Sequence, residues 1–237
     1  MPKSTIKVIT FDLDDTLWDV APVLIAAEDA LYDWLCHHTP KLTDAYSLAE
    51  LRKQRWKIWQ QRPDLAHQIS KLRIETLKQL MQQVGYDEKV ASQHALAAFQ
   101  VFIDHRHQVC LFDDVETTLQ QLHKDYTLGV LTNGNADIKR LAIGRYFDFS
   151  FAAEQLNSSK PAPDHFNAAM QASGASASQI VHIGDHHEHD IEAALAAGCH
   201  AIWFNPGQKA WPESSPAPLT IKTLSEAPAL IRQLSSM

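Results

Sequence analysis

The sequence predicts an α/β protein: a doubly wound parallel sheet, interrupted early by an inserted all-helical domain. Three observations carry this. From 108 onward, short β-branched segments alternate with helical patterns of about ten residues, as in parallel βαβ units. Residues 6–11, IKVITF, form one more such segment near the start. Between 18 and 107 no strand pattern occurs. The spacing therefore assigns 1–17 and 108–237 to the sheet core and 18–107 to the helical insertion. Insertions of that size are tolerated where they leave a loop, and lids over active sites arise this way.

Each element follows from its local pattern. IKVITF is short and β-branched, so it reads as a buried strand. From Pro22 the period changes, and Val23, Leu24, Ala27, Leu31, Trp34 and Leu35 share one helical face. Further helices are expected over 46–61, over 65–84 with its stop at Gly85, and over 87–104. In the core, 114–124 reads as a helix and 126–132, YTLGVLT, as a strand. A helix is expected near 136–144 and a strand near 149–153. Prolines in KPAPDHF open a helix that Gly174 closes. IVHIGD at 180–185 is a strand, DIEAALAAG a helix stopped at Gly198, and HAIWF at 200–204 a strand. Residues 205–218 read as a long irregular loop and 223–235 as a last helix.

The totals narrow the function classes. The chain has 237 residues, 45% of them hydrophobic and 21% charged, as in an ordinary globular protein. Its formal net charge is −7 and no Lys/Arg block stands out, which argues against a nucleic-acid partner. A small anion held by a few placed donors remains compatible. Cys36, Cys110 and Cys199 are odd in number and far apart, so a disulfide framework is not expected. They read as buried small hydrophobes. No apolar leader region and no membrane-length apolar run is present, which points to a cytoplasmic setting without a membrane partner.

In an open parallel sheet, ligands bind beyond the carboxyl ends of the strands. Asp12 and Asp14 follow the first strand, Thr132 and Asn133 end the second, Lys160 follows the third, and Asp185 and Asp190 follow the fourth. Each alone is weak, and an aspartate cluster by itself reads equally well as a solvated turn. Together they place carboxylates, a hydroxyl and an ammonium at one sheet edge. Gathered carboxylates call for a hard divalent cation, and Mg²⁺ is commonly held by a few carboxylates plus a substrate phosphate. Lys160 and Thr132 would complement the remaining phosphate oxygens. Phosphoryl transfer needs these parts.

The segments DLDDT, LTNG, KPAPDHF and GDHHEHD, in that order over 12–190, resemble the four motifs of the haloacid dehalogenase-like hydrolase superfamily. The resemblance implies a Rossmann-like core with a type 1 helical cap. It implies Asp12 as nucleophile, forming an aspartyl-phosphate, and Asp14 as the acid that protonates the leaving oxygen and then activates water. It implies phosphate binding by Thr132, Asn133 and Lys160, with backbone amides near Asn133 and Gly134. It implies Mg²⁺ on Asp12, the backbone carbonyl of Asp14, and Asp185, with Asp190 in the outer shell. Asp15 is expected to shape the turn. Carbon–halogen hydrolases of the superfamily lack an acid at the position of Asp14, because halide leaves without a proton. Asp14 therefore favours a phosphatase acting on a small phosphate ester over a dehalogenase. The opening FDLDDTLWD, TNGN and the cap segment resemble bacterial phosphatases acting on FMN and ribitylaminouracil phosphate. A non-catalytic phosphometabolite-binding protein is the remaining alternative, and intact Asp12 and Asp14 speak against it.

Other features have plainer readings. Residues 186–189, HHEH, read as exposed loop histidines rather than a second metal site. Trp56 and Trp59 read as packing residues, whereas Trp18, next to the nucleophile loop, is a candidate for stacking on substrate. Arg52, Arg55 and Arg62 read as solvated, and Arg73 as a candidate substrate contact.

Overall fold

A computed structural model describes residues 5–212 and 218–236. The chain divides into two units, Met1–Asp19 with Cys110–Met237, and Val20–Val109.

The first unit holds a six-stranded parallel sheet: β1 (Val8–Phe11), β2 (Thr127–Thr132), β3 (Phe149–Ala152), β4 (Ile180–Gly184), β5 (His200–Phe204) and β6 (Leu219–Ile221). The strand order is β3-β2-β1-β4-β5-β6, a Rossmann-like α/β arrangement. The chain runs outward from β1 to β3, then returns to the other side of β1 for β4. That reversal puts a topological switch point between β1 and β4, where a crevice opens at the carboxyl ends. β1 lies between β2 and β4 and is wholly buried, which accounts for its VITF composition. Gly129 in β2 leaves room for the Phe149 ring on β3: a Cβ there would fall 2.1 Å from its Cε2, so the ring would have to shift.

Three elements depart from the sequence reading. Residues 136–144 form two short 3₁₀ turns, Ile138–Arg140 and Ala142–Tyr146, not one helix. The carboxylate of Asp137 accepts from the Lys139 amide, and Gly144 packs on the Ile138 carbonyl, so the chain tightens there. The segment DIEAALAAG starts inside a π-helical turn, His187–Glu192, and becomes α-helical only over Ala193–Ala196. Between the expected loop, 205–218, and the expected last helix, 223–235, where the sequence reading assigns no element, a short strand, β6, pairs with β5; residues 213–217 lie outside the described residues.

The second unit is helical, with α1 (Val20–His38), α2 (Pro40–Ala45), α3 (Leu48–Gln61), α4 (Ile69–Gln83) and α5 (Glu88–Arg106). Local signals set the ends. Ser47 and Glu50 form a reciprocal capping box on α3, and Asp87 caps α5. Gly85, with φ of 90°, follows α4 in the left-handed region. Leu31, Leu35, Leu77, Leu80, Met81, Ala95, Ala98 and Phe102 make its core. The short alanines of α5 allow close helix approach. Trp56 and Trp59 are not core: they are 58% and 36% exposed, with rings stacked at 4.8 Å. Cys36 and Cys110 are exposed and only Cys199 is buried, so the expectation of three buried thiols holds for one. Among the described residues, no helix is long and apolar enough to cross a membrane.

Arg73 lies on Glu28 of α1, with Nη1 3.1 Å from Oε1. Arg55 reaches the same oxygen at 2.8 Å and Arg52 holds Oε2. Burial opposes ionisation of Glu28, but Arg73 and Arg55 overcome it and hold the carboxyl below its usual range. A lowered pKa means that this contribution is complete above the ordinary glutamate range and is lost as pH falls through the folded-state value. Glu28→Gln is expected to lower stability by about 1–3 kcal/mol at neutral pH. Thermal melts of the two proteins should converge as the pH is taken down through the acid range; a constant gap would refute the assignment. Arg62 pairs with Asp64 at the surface, as a solvated residue would.

Candidate active site

The loop after β1 is built to project carboxylates. The Asp12 amide continues the ladder by donating to the Ile183 carbonyl at 2.9 Å. Leu13 and Leu17 are buried and anchor the turn. Asp15 takes the left-handed conformation, φ 59°, which aspartate tolerates better than most residues. Its amide donates to the Trp18 carbonyl at 2.8 Å, closing the loop. Asp15 thus shapes the turn. Trp18 is not a stacking surface. It is fully buried, and its Nε1–H donates to Oδ1 of Asp14 at 3.0 Å. The indole therefore aims Asp14.

Lys160 stands at the centre. Its Nζ donates to Asp12 Oδ1 at 2.8 Å, to Asp190 Oδ1 at 2.6 Å and to the Leu131 carbonyl at 2.6 Å. Those three acceptors match the three N–H donors of an ammonium. Asn133, expected at the phosphate, spends its carboxamide on Lys160: Nδ2 donates to the Lys160 carbonyl at 2.9 Å, and Oδ1 accepts from its amide at 2.8 Å. The side chain of Asn133 clamps the lysine, and the residue also lines the cleft. The Thr132 hydroxyl accepts from the Gly134 amide at 2.9 Å. That bond uses an oxygen lone pair, and the hydroxyl proton stays available to a phosphate oxygen.

Asp190 reaches this network from the π-helical turn, a form common at functional sites. Besides Lys160, it accepts from the His186 amide at 2.9 Å and from His182 Nε2 at 3.2 Å. His182 Nδ1 lies 2.9 Å from Thr10 Oγ1. Burial lowers the His182 pKa, so the ring is neutral; Nε2–H then donates to Asp190 and Nδ1 accepts from the Thr10 hydroxyl. Sequence reading passed over Thr10 and His182. Their signal was a polar residue inside each of two wholly buried strands. His165, another buried ring, is pushed down to about 4 by burial and by Lys160, and its Nε2 bonds the Thr132 carbonyl at 3.2 Å.

The charges do not balance. Burial raises the Asp12 carboxyl well above its usual range, with Lys160 opposing and Asp190 adding to the shift. Asp185 is pushed up to about 7, by burial first and then by Asp190 and Asp15. For Asp190 burial also opposes ionisation, but Lys160 and His182 hold it well below the normal range. Asp12, Asp185 and Asp190 each offer an oxygen within 4.8 Å of the others. Three converging carboxylates share one ammonium, and two of them are destabilised as anions. An all-oxygen set of this kind fits Mg²⁺. It is the only such group of metal-capable side chains among the described residues. The histidines of 186–189 do not converge: His186 stacks on His189 at 4.0 Å, while His187 meets Glu192 and Trp211.

The carboxylates, Thr132, Asn133, Gly134 and Lys160 line one open cleft of about 510 Å³, its solvent side included, with Asp15, His186 and His189 also on its wall. The sequence-selected core residues are thus brought together. Arg73 is in the helical unit, on Glu28.

Comparison with known proteins agrees with this geometry. Residues 6–198 match the haloacid dehalogenase-like hydrolase family. The chain belongs to this family. It is 30% identical to the 5-amino-6-(5-phospho-D-ribitylamino)uracil phosphatase YigB of Escherichia coli, covering 86% of each chain. It is 29% identical to a glyceraldehyde 3-phosphate phosphatase of Pyrococcus abyssi, covering 86% of this chain and 83% of the relative. A solved structure described as a 2-haloacid dehalogenase from Pseudomonas syringae superposes with a TM-score of 0.92 at 43% identity, covering 97% of this chain and 99% of the other. The haloacid dehalogenase-like hydrolases so matched include phosphatases as well as a dehalogenase by description. The residues at the cleft are what can separate the two chemistries.

Proposed function

We propose that this hydrolase is a Mg²⁺-dependent phosphatase of a small phosphate monoester. The observation that carries the reading is Asp14, an acid two residues beyond Asp12, held by the Trp18 indole at the cleft. A phosphate ester releases an alkoxide that must be protonated, and a carbon–halogen bond does not.

Asp12 attacks phosphorus, and its orientation is set by Lys160 at Oδ1. The bond from phosphorus to the ester oxygen breaks as the aspartyl-phosphate forms. The electron pair goes to that oxygen, which takes the proton from Asp14. Asp14, now a carboxylate, removes a proton from water, which attacks phosphorus and frees Asp12 and inorganic phosphate. The Thr132 hydroxyl donates to a phosphoryl oxygen. Lys160 positions Asp12 and neutralises the anionic cluster. Mg²⁺ would be held by Asp12, Asp185 and the backbone of Asp14, and would offset the charge of the phosphoryl oxygens. Asp190 acts through Lys160. The helical unit is assigned the role of cap, and the setting is cytoplasmic, which suits the unpaired thiols. Within this reading, a riboflavin-pathway phosphate, FMN or a ribitylaminouracil phosphate, heads the substrate list, supported by the YigB likeness.

The expected result is Mg²⁺-dependent release of p-nitrophenol from p-nitrophenyl phosphate, abolished by EDTA. Asp14→Asn should lower kcat by about 10²–10⁴-fold. A panel of phosphate monoesters ranks substrates, and no turnover of any by folded protein sinks the reading. The second reading, a dehalogenase, is favoured by the description of the 43%-identical structure. Chloride release from 2-chloropropionate, unaffected by Asp14→Asn, would establish it instead.

A further inference from the structure

The helical unit carries an excess of positive charge at one place. Three helices meet there: α1 brings Glu28, α3 brings Arg52 and Arg55, and α4 brings Arg73. All three guanidinium groups contact the one carboxylate. Glu28 offers two oxygens, far fewer than the N–H donors the arginines carry. Two positive charges stay uncompensated within the cluster. Arg73 is the most enclosed, its side chain 12% exposed and its guanidinium 3.7 Å above the Phe102 ring. Burial first, and then repulsion from Arg55, push its pKa down to about 9, with Glu28 opposing. Arg55 and Arg52 are more open, at 26% and 45%. The hollow they share with Thr76 has leucine walls and is too shallow to enclose an anion, so the open place for one is its rim, where Arg52 and Arg55 are exposed. Planar guanidinium forks at an apolar surface are suited to bidentate recognition of carboxylate and phosphate.

We propose that Arg52, Arg55 and Arg73 form an anion-binding site within the helical unit, taking a phosphate or carboxylate group beside Glu28. The arginines at the rim grip the anion, Arg73 supplies charge from beneath, and Glu28 holds the forks in place and moderates affinity. The site does not depend on phosphatase chemistry. Its anion has two possible sources, a second anionic group on the substrate or a separate small molecule.

Inorganic phosphate is the probe, titrated into the whole protein in EDTA buffer at constant ionic strength. Without Mg²⁺ the carboxylate cleft of the first unit repels it. The expected result is a saturable heat of binding by isothermal titration calorimetry, together with a rise in melting temperature. The double variant Arg52→Gln/Arg55→Gln should bind about tenfold more weakly or not at all. Glu28→Gln should bind several-fold more tightly, a change opposite in sign to its effect on stability. Arg55→Lys keeps the charge but loses the fork, and should weaken binding if the double variant does not fold. Absent saturation by the native protein, or affinity unchanged across these variants, overturns the proposal. The source then follows from steady-state kinetics. A KM raised in the double variant only for monoesters with a second anionic group identifies the substrate. Phosphate binding lost with no KM changed identifies a separate ligand.

Discussion

Asp12→Asn is expected to abolish phosphatase turnover while leaving the protein folded. The substitution keeps the shape of the side chain and an oxygen able to accept from Lys160, but removes the anionic nucleophile. Loss of a nucleophile costs about 10³-fold or more in kcat. Stability should move by only about 1–2 kcal/mol, because two effects oppose each other. Lys160 loses one ionic partner but keeps Asp190 and the Leu131 carbonyl. In return, a carboxylate whose burial disfavours its charge is removed. Burst-phase and steady-state release of p-nitrophenol, with a circular dichroism melt on the same sample, measure both. Turnover near the native rate in Asp12→Asn would rule out the aspartyl-phosphate route.

Gly184→Ala is expected to damage the site and the fold together. A Cβ at 184 would lie 2.3 Å from Cγ and 2.4 Å from Oδ2 of Asp190. The clash is not with a free side-chain tip. Lys160, His182 and the His186 amide all hold that carboxylate. Relief requires moving Asp190, and Lys160 and Asp12 are bonded in series behind it. Overpacking in a rigid interior costs about 1–3 kcal/mol. A displacement near 1 Å of positioning groups costs about 10²-fold in rate. Melting temperature and kcat should fall together, with KM for p-nitrophenyl phosphate less affected. A native-like melt with native kcat would show that Asp190 is loosely held.

The strand-end chemistry was legible because strand pattern and motif spacing are local. Asp12, Thr132, Lys160 and Asp185 could be placed at one sheet edge once the βαβ alternation was read. The partners of these residues were not legible. Asn133 and Lys160 lie 27 positions apart, and nothing in TNGN indicates that the carboxamide closes on a lysine backbone. Thr10 and His182 are 172 positions apart and meet only because β1 and β4 are neighbours in register, Thr10 beside His182. Trp18 was read as a surface for substrate, since exposure cannot be judged from neighbours in the chain.

The sequence by itself determined the α/β core, the helical insertion, the four strand-end motifs and the presence of an acid at position 14, on which the proposed phosphatase reading rests. Those are properties of residue type and short-range period. Only the tertiary structure decided that Lys160 spends all three protons inside the protein, that Gly184 leaves room for Asp190, and that Arg52, Arg55 and Arg73 share Glu28. The physical reason is that burial and charge pairing depend on which distant segments pack together. A lysine or arginine looks alike in sequence whether solvated or enclosed, and its energy differs by the partners that folding brings to it.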